Sequence, residues 1–243
     1  MTNFGDLFDD VKEKENKVKP VTYVGFVWDH SGSMTGSAEL ARTNFNEQLN
    51  TLKKDADDIE FLVTIIEFDD KVKEVSVNKP IELIRERKEY WIGGMTALYD
   101  SVGLCINKIS KAMEKDKRKD KAALIIVMTD GFENASTDYN NERIKKLIKE
   151  MDAKDDWTFT FMGAGIDEKQ AMDMGFSILN TMTFDKTAKG YNVSTTSQSN
   201  SLSSYSTMRK RGETKVDAFY NGVTSDKSAF VKDESKTVGN EEG

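Results

Sequence analysis

Two short stretches of this chain place carboxylates, the first with two hydroxyls beside it, where a sheet protein binds its ligands. Asp29-His30-Ser31-Gly32-Ser33 follows the apolar run Val21–Trp28, and Asp130-Gly131 follows the apolar run Ala122–Met128. Both runs read as strands, and in open parallel sheets ligands sit in the crevice beyond the carboxyl ends of the strands. A third stretch, Gly93-Gly94-Met95-Thr96, lies between them in sequence. Asp29, Ser31, Ser33, Thr96 and Asp130 together offer two carboxylates and three hydroxyls. An all-oxygen set suits a hard divalent cation, Mg²⁺ first, with Mn²⁺ or Ca²⁺ as alternatives, and nothing in it selects zinc or copper. The sole histidine, His30, lies inside the first stretch. Hard ions prefer oxygen, so His30 reads as a loop residue at the rim of the site.

The elements that must position these groups follow from periodicity. Val21–Trp28 is apolar and β-branched, as suits a strand buried on both faces. Ser37–Lys54 carries Leu40, Phe45, Leu49 and Leu52 near helical spacing. Ile59–Phe68 reads as a strand, Asp69-Asp70 as a turn, and the alternating Val72–Val77 as an edge strand, so the pair predicts a hairpin. Leu98–Met113 and Asn140–Met151 predict helices, the latter with Ile144, Leu147, Ile148 and Met151 on one face. Trp157–Met162 predicts a strand, Asp167–Met174 a short helix and Thr181–Phe184 a last strand. Strands alternating with helices imply a three-layer α/β/α domain, its central sheet of about six strands mostly parallel with one antiparallel edge strand. Residues 187–221 read as a partly helical C-terminal extension, with a final helix over Met208–Tyr220 after the Ser/Thr-rich stretch Thr195–Ser206. Residues 1–19 read as a flexible arm with a short helix over Phe4–Val11, residues 20–186 as the domain proper, and residues 222–243 as a disordered tail.

At these positions the chain resembles the von Willebrand factor A (VWA) family, whose metal-ion-dependent adhesion site has the pattern Asp-x-Ser-x-Ser, then a Thr, then an Asp. Asp29, Ser31, Ser33, Thr96 and Asp130 match all five positions in order. The flanking Gly94-Met95-Thr96-Ala97-Leu98-Tyr99-Asp100 and Thr129-Asp130-Gly131-Phe132-Glu133-Asn134 are similar to bacterial members, and the likeness runs from Val21 to Phe184. Asp-x-Ser-x-Ser alone is a weak signal, whereas three elements in order at strand ends are a specific one. The resemblance implies a Rossmann-like VWA fold in which Ser31 and Ser33 bind the metal directly and Thr96 directly or through water. Asp29 and Asp130 would often act through waters and orient the ligands. If most direct ligands are neutral hydroxyls, the dication is under-neutralised and attracts one more oxygen, an Asp or Glu of a protein partner. Glu133 and Asn134 would then orient waters, meet the partner, or simply face solvent.

Composition narrows the alternatives. The 243 residues carry a net charge near −7, with 32% charged residues, which argues against general nucleic-acid binding. No apolar run approaches a membrane span, and the N-terminal stretch is too polar for a secretory signal. The single cysteine, Cys105, rules out an intramolecular disulfide and reads as a buried thiol in the run Val102–Ile106. These features predict a cytoplasmic protein, and the many Lys and Asn residues fit a bacterial or phage source. The basic run Met208-Arg209-Lys210-Arg211 reads as a solvated helix face or a contact for an anionic partner, and Trp28, Trp91 and Trp157 as core residues. Enzymatic readings are weak. A Mg²⁺-dependent phosphohydrolase with Asp29 as phosphoryl acceptor would want an acid two residues on, where Ser31 stands. A Ser-His-Asp triad has no separate histidine, and neither a Walker loop nor a nucleophile elbow is present. The alternative to a metal-dependent interaction module is a structural or assembly scaffold whose metal site is incidental. Self-association is a variant of the first reading, in which Glu213 or Asp217 reaches the metal of a neighbouring copy.

Overall fold

A computed structural model describes residues 18–220. The expected helix over Phe4–Val11 and the tail over Gly222–Gly243 lie outside those residues. An apolar strand such as Val21–Trp28 is stable only when both its faces are covered. It forms β1 (Val21–Asp29), buried along its whole length. β2 (Glu60–Phe68) lies parallel on one side, with Asp29 beside Phe68, and continues into the antiparallel edge strand β3 (Val72–Pro80). β4 (Lys121–Thr129) lies parallel on the other side of β1, followed by β5 (Trp157–Ala164) and β6 (Thr181–Phe184), also parallel. The sheet order is β3-β2-β1-β4-β5-β6, so the six-stranded sheet with one antiparallel edge matches the expectation.

Two helical layers cover it. α1 (Ala38–Lys53) and α5 (Ala188–Lys210) share a core with one face, where Phe45, Leu49, Tyr191 and Leu202 join Val24, Phe26 and Ile126. α2 (Leu98–Lys115), α3 (Asn141–Asp152) and α4 (Glu168–Met174) share a core with the other, where Ile106, Ile148 and Met174 join Tyr23, Val27 and Phe159. Among the described residues no helix is long and apolar enough to cross a membrane.

The C-terminal region departs from the expected helix over Met208–Tyr220. The helix instead starts at Ala188, takes in the whole Ser/Thr-rich stretch, and stops at Lys210 before Gly212, whose φ of 87° is left-handed. Serine and threonine are poor helix formers because their hydroxyls compete for the backbone. In α5 several of those hydroxyls are turned back onto it: Thr195, Ser203 and Thr207 donate to the carbonyls of Tyr191, Ser199 and Ser203. Packing decides the rest. Asn44 of α1 donates to Thr195 Oγ1 at 2.7 Å, and Gln198 donates to Gln48 at 3.1 Å. The basic run is not simply a solvated face either. Lys210 and Arg211 are exposed, but the Arg209 side chain is fully buried. It donates to Thr22 Oγ1, the Val21 carbonyl and Asp120 at the start of β1 and β4.

Gly25 marks a close approach between β1 and α2. A Cβ there would lie 2.5 Å from Cys105 Sγ, 2.9 Å from Ile125 Cδ1 and 3.0 Å from Ile109 Cδ1. Overpacking a core of this density costs about 1–3 kcal/mol. Gly25→Ala is expected to lower the urea midpoint accordingly, and Cys105→Ala in the same chain to recover part of the loss. An unchanged midpoint would show that the layer relaxes freely.

Candidate metal centre

β1 and β4 deliver the two aspartates to the same end of the sheet, and the loops beyond them supply the hydroxyls. At the end of β1 the Asp29 Oδ1 accepts the N–H of Ser31 at 2.7 Å, which turns the chain back over the strand end. Its Oδ2 accepts the Thr129 hydroxyl at 2.5 Å, so this carboxylate ties β1 to β4. The chain continues through a 3₁₀ turn, Gly32–Gly36, into α1. The loop carrying Thr96 is laid against this turn by backbone bonds: Gly32 N–H donates to the Gly94 carbonyl at 2.9 Å and Gly93 N–H to the His30 carbonyl at 2.7 Å. A Cβ at Gly93 would collide with the Asp69 carboxylate. After β4, Ser33 Oγ donates to Asp130 Oδ1 and stands 3.0 Å from Ser31 Oγ.

Gly131 shows how the group converges. A Cβ built there would stand 3.0 Å from Ser33 Oγ, 3.1 Å from Thr96 Oγ1 and 3.5 Å from Ser31 Oγ. Three hydroxyls therefore surround one point beside Asp130, and glycine leaves that point open. Asp29, Ser31, Thr96 and Asp130 are buried, while Gly32 and Ser33 are exposed, so the cluster opens to solvent on the Ser33 side. Among the described residues no group of three or more His, Cys, Asp or Glu side chains is arranged to hold a metal. A cation site here must therefore draw on hydroxyls. Three hydroxyls beside the Asp130 carboxylate, with the Asp29 carboxylate held by Ser31 and Thr129, fit a hard divalent cation.

The structure differs from the sequence reading around this cluster. His30 is not a rim residue: it is 1% exposed, with its ring stacked between Tyr90 and Trp91 at centroid distances of 4.1 and 4.3 Å. Its Nδ1 meets the Trp91 carbonyl at 2.7 Å, so that nitrogen carries the proton. Burial lowers its pKa. Trp28 and Trp157 are core residues as expected, but Trp91 is only half-buried, its indole N–H donating to Glu67. Glu133 and Asn134 are braces. Glu133 accepts from the N–H of Tyr99 at 2.9 Å near the start of α2 and from Ser136. Asn134 and Thr96 bond each other in both directions through Thr96 N–H and the Asn134 N–H. Glu213 and Asp217 belong to the opposite end, where Arg209 Nη1 donates to the Glu213 carbonyl and the Val216 N–H to Thr158 in the early part of β5.

Three contributors were not singled out from sequence. Thr129 and Ser37 donate to Asp29 and Asp130, and Lys186, just past β6, pairs with Asp130 Oδ2 at 3.1 Å. The signal that would have found Lys186 is its place beyond the carboxyl end of a parallel strand.

No protein-family model matches the sequence, and no curated protein matches it. Solved structures do match its fold. The pilus adhesin SpaC of Lactobacillus rhamnosus GG superposes with a TM-score of 0.59 at 13% identity, over 78% of this chain and 31% of that one. A von Willebrand factor type A structure from Catenulispora acidiphila gives 0.54 at 12% identity, over 79% and 43%. The mussel byssus proximal thread matrix protein 1, solved with a zinc-occupied metal-ion-dependent adhesion motif, gives 0.51 at 15%, over 77% and 46%. The chain spans less than half the length of each. The likeness shows the fold, which is the three-layer α/β/α fold of von Willebrand factor A-type domains.

Burial raises the Asp29 pKa to about 6, against the Thr129 and Ser31 hydrogen bonds that favour the carboxylate, with the charge of Asp130 adding to the rise. A carboxyl whose folded pKa lies above its unfolded value binds more protons in the folded state between the two values. Its contribution to stability is therefore lost as pH rises from about 4 to about 6. In EDTA, wild type is expected to lose about 2–3 kcal/mol to this group across that window, and Asp29→Asn to lack that component of the pH dependence. Identical slopes in the two proteins would refute the assignment.

Proposed function

We propose that this protein is a metal-dependent protein-interaction module in which Asp29, Ser31, Ser33, Thr96 and Asp130 hold one divalent cation, Mg²⁺ first among the candidates. The partner supplies an Asp or Glu carboxylate. The observation that carries this reading is the convergence of the Ser31, Ser33 and Thr96 hydroxyls on one point beside Asp130, at an opening on the Ser33 side. A bound dication supplies a Lewis-acidic position that accepts an anionic oxygen. The protein's part is to hold the donors. Asp29 is locked by Ser31 and Thr129, Thr96 is fixed through Asn134, and Ser33 is aimed by Asp130.

The surroundings favour a protein over a small anion. Met95 and Phe132, neighbours of Thr96 and Gly131, are 55% and 64% exposed. Large apolar side chains beside a charged centre are the composition of an interaction surface, in which a desolvated anchor is ringed by apolar contact. The reading assigns no catalytic role, since Ser31 stands where a phosphoryl-transferring aspartate would need its acid. The zinc seen in the mussel thread protein's adhesion motif places Zn²⁺ beside Mg²⁺, Mn²⁺ and Ca²⁺ in the series to be tested.

A ligand that binds only the folded state stabilises it by about 2.7 kcal/mol at a hundred times its Kd. Mg²⁺ is expected to raise the melting temperature of wild type over that in EDTA, and Asp29→Asn and Ser33→Ala to lose the rise while remaining folded. An equal rise in both variants would place the ion elsewhere. Partner capture is expected to be abolished by EDTA, whereas a partner retained in EDTA would support the scaffold reading instead.

A further inference from the structure

Asp130 faces two ways. Its Oδ1 accepts from Ser33 on the side of the converging hydroxyls, and its Oδ2 meets the Lys186 ammonium at 3.1 Å, with Ser37 Oγ at 3.4 Å. The Asp130 side chain is fully buried and that of Lys186 is 38% exposed. Lys186 reaches this position along a track made by the backbone. Gly165, just past β5, has a φ of +67°, and a Cβ there would stand 2.9 Å from Lys186 Cγ and 3.0 Å from its Cε. The aliphatic stem therefore lies across the glycine, and the ammonium ends beside the carboxylate. Gly165 N–H donates to the Phe184 carbonyl at 2.6 Å, which holds the two loops together.

The consequence is one of charge. Asp29 and Asp130 bring −2 to the cluster and Lys186 brings +1, a sum of −1. With a dication the sum is +1, whereas without Lys186 it would be zero. We propose that Lys186 is a specificity-determining residue that weakens the centre's hold on its metal and keeps the loaded centre positive, so that an anionic ligand is needed to complete it. This rests on the metal-centre reading above and adds the residue that tunes it. Lys186 contacts the outer carboxylate oxygen and leaves Oδ1 to the hydroxyl side, so it acts through charge and not by filling the metal's place.

The test is calorimetric titration of the full chain with Mg²⁺ alone at low ionic strength, for wild type, Lys186→Gln and Lys186→Arg, with Asp29→Asn as the control for the site. Removing one positive charge at this range is expected to tighten Mg²⁺ binding roughly tenfold in Lys186→Gln. The gain should shrink as salt is raised, because the charge is partly exposed, and Lys186→Arg should stay within about threefold of wild type, since it keeps the charge. Acetate, used as a plain carboxylate probe on the Mg²⁺-saturated proteins, should raise the melting temperature of wild type more than that of Lys186→Gln. Melting in EDTA verifies that each variant is folded. Equal or weaker Mg²⁺ binding by Lys186→Gln, with wild-type binding intact and lost in Asp29→Asn, overturns the role of Lys186 and leaves the metal centre standing. Absence of Mg²⁺ binding in wild type overturns the metal-centre reading, and this one with it.

Discussion

A carboxylate buried at the end of a central strand must have its lone pairs filled, because an unpartnered ion in a low-dielectric interior is costly. Asp29 meets this demand with the Ser31 N–H on one oxygen and the Thr129 hydroxyl on the other. The first bond turns the chain so that Ser31 and Ser33 face back over the sheet. The second fixes the end of β4, from which Asp130 and Gly131 follow. The hydroxyl cluster is thus a by-product of satisfying one buried acid, and the Tyr90 hydroxyl, which donates to the Asp29 carbonyl, anchors the same residue from its backbone.

Around that anchor the molecule separates rigidity from openness. Tyr90 and Trp91 stack on His30 beside the β1 end, with Trp28 meeting His30 and Tyr90 edge-on, and Glu67, paired with Arg87 at 2.9 Å, receives the Trp91 indole. Donors positioned by such packing need little reorganisation to receive a ligand. Ser33, Met95 and Phe132 by contrast reach solvent, so the parts able to meet a partner lie on loops held by a stiff base.

Charge gives the arrangement its direction. Neutral hydroxyls make up most of the donor set, and Lys186 offsets part of the charge that Asp130 contributes. In the proposed reading, a centre built this way would bind metal less tightly than a cage of carboxylates and would leave more of the ion's charge for a second ligand. The polar contact between α1 and α5 fits the same economy of space: small Ser and Thr side chains let α5 approach, Asn44 donates to Thr195 and Gln198 to Gln48 across the gap, and Gln48 donates to Asn44 within α1.

Local periodicity and residue chemistry determined the six strands, the helices from Ala38 to Met174, and the placing of Asp29, Ser31, Ser33, Thr96 and Asp130 in the loops at one end of the sheet. Those features are legible because apolar alternation, continuous apolar runs and turn residues act over a few neighbours. Only the tertiary structure decided the rest. Ser33 and Asp130 are 97 residues apart in sequence and in contact in the fold. The burial of His30 depends on a stack with Tyr90 and Trp91, far downstream in sequence, and Lys186 meets Asp130 only because β6 lies next to β5 and the glycine turn after β5 clears a path. The Ser/Thr-rich stretch became a helix because α1 offered its amides a partner, against its own propensity. Propensity is summed along the chain, whereas convergence of donors is set by strand order and register, which no local window contains.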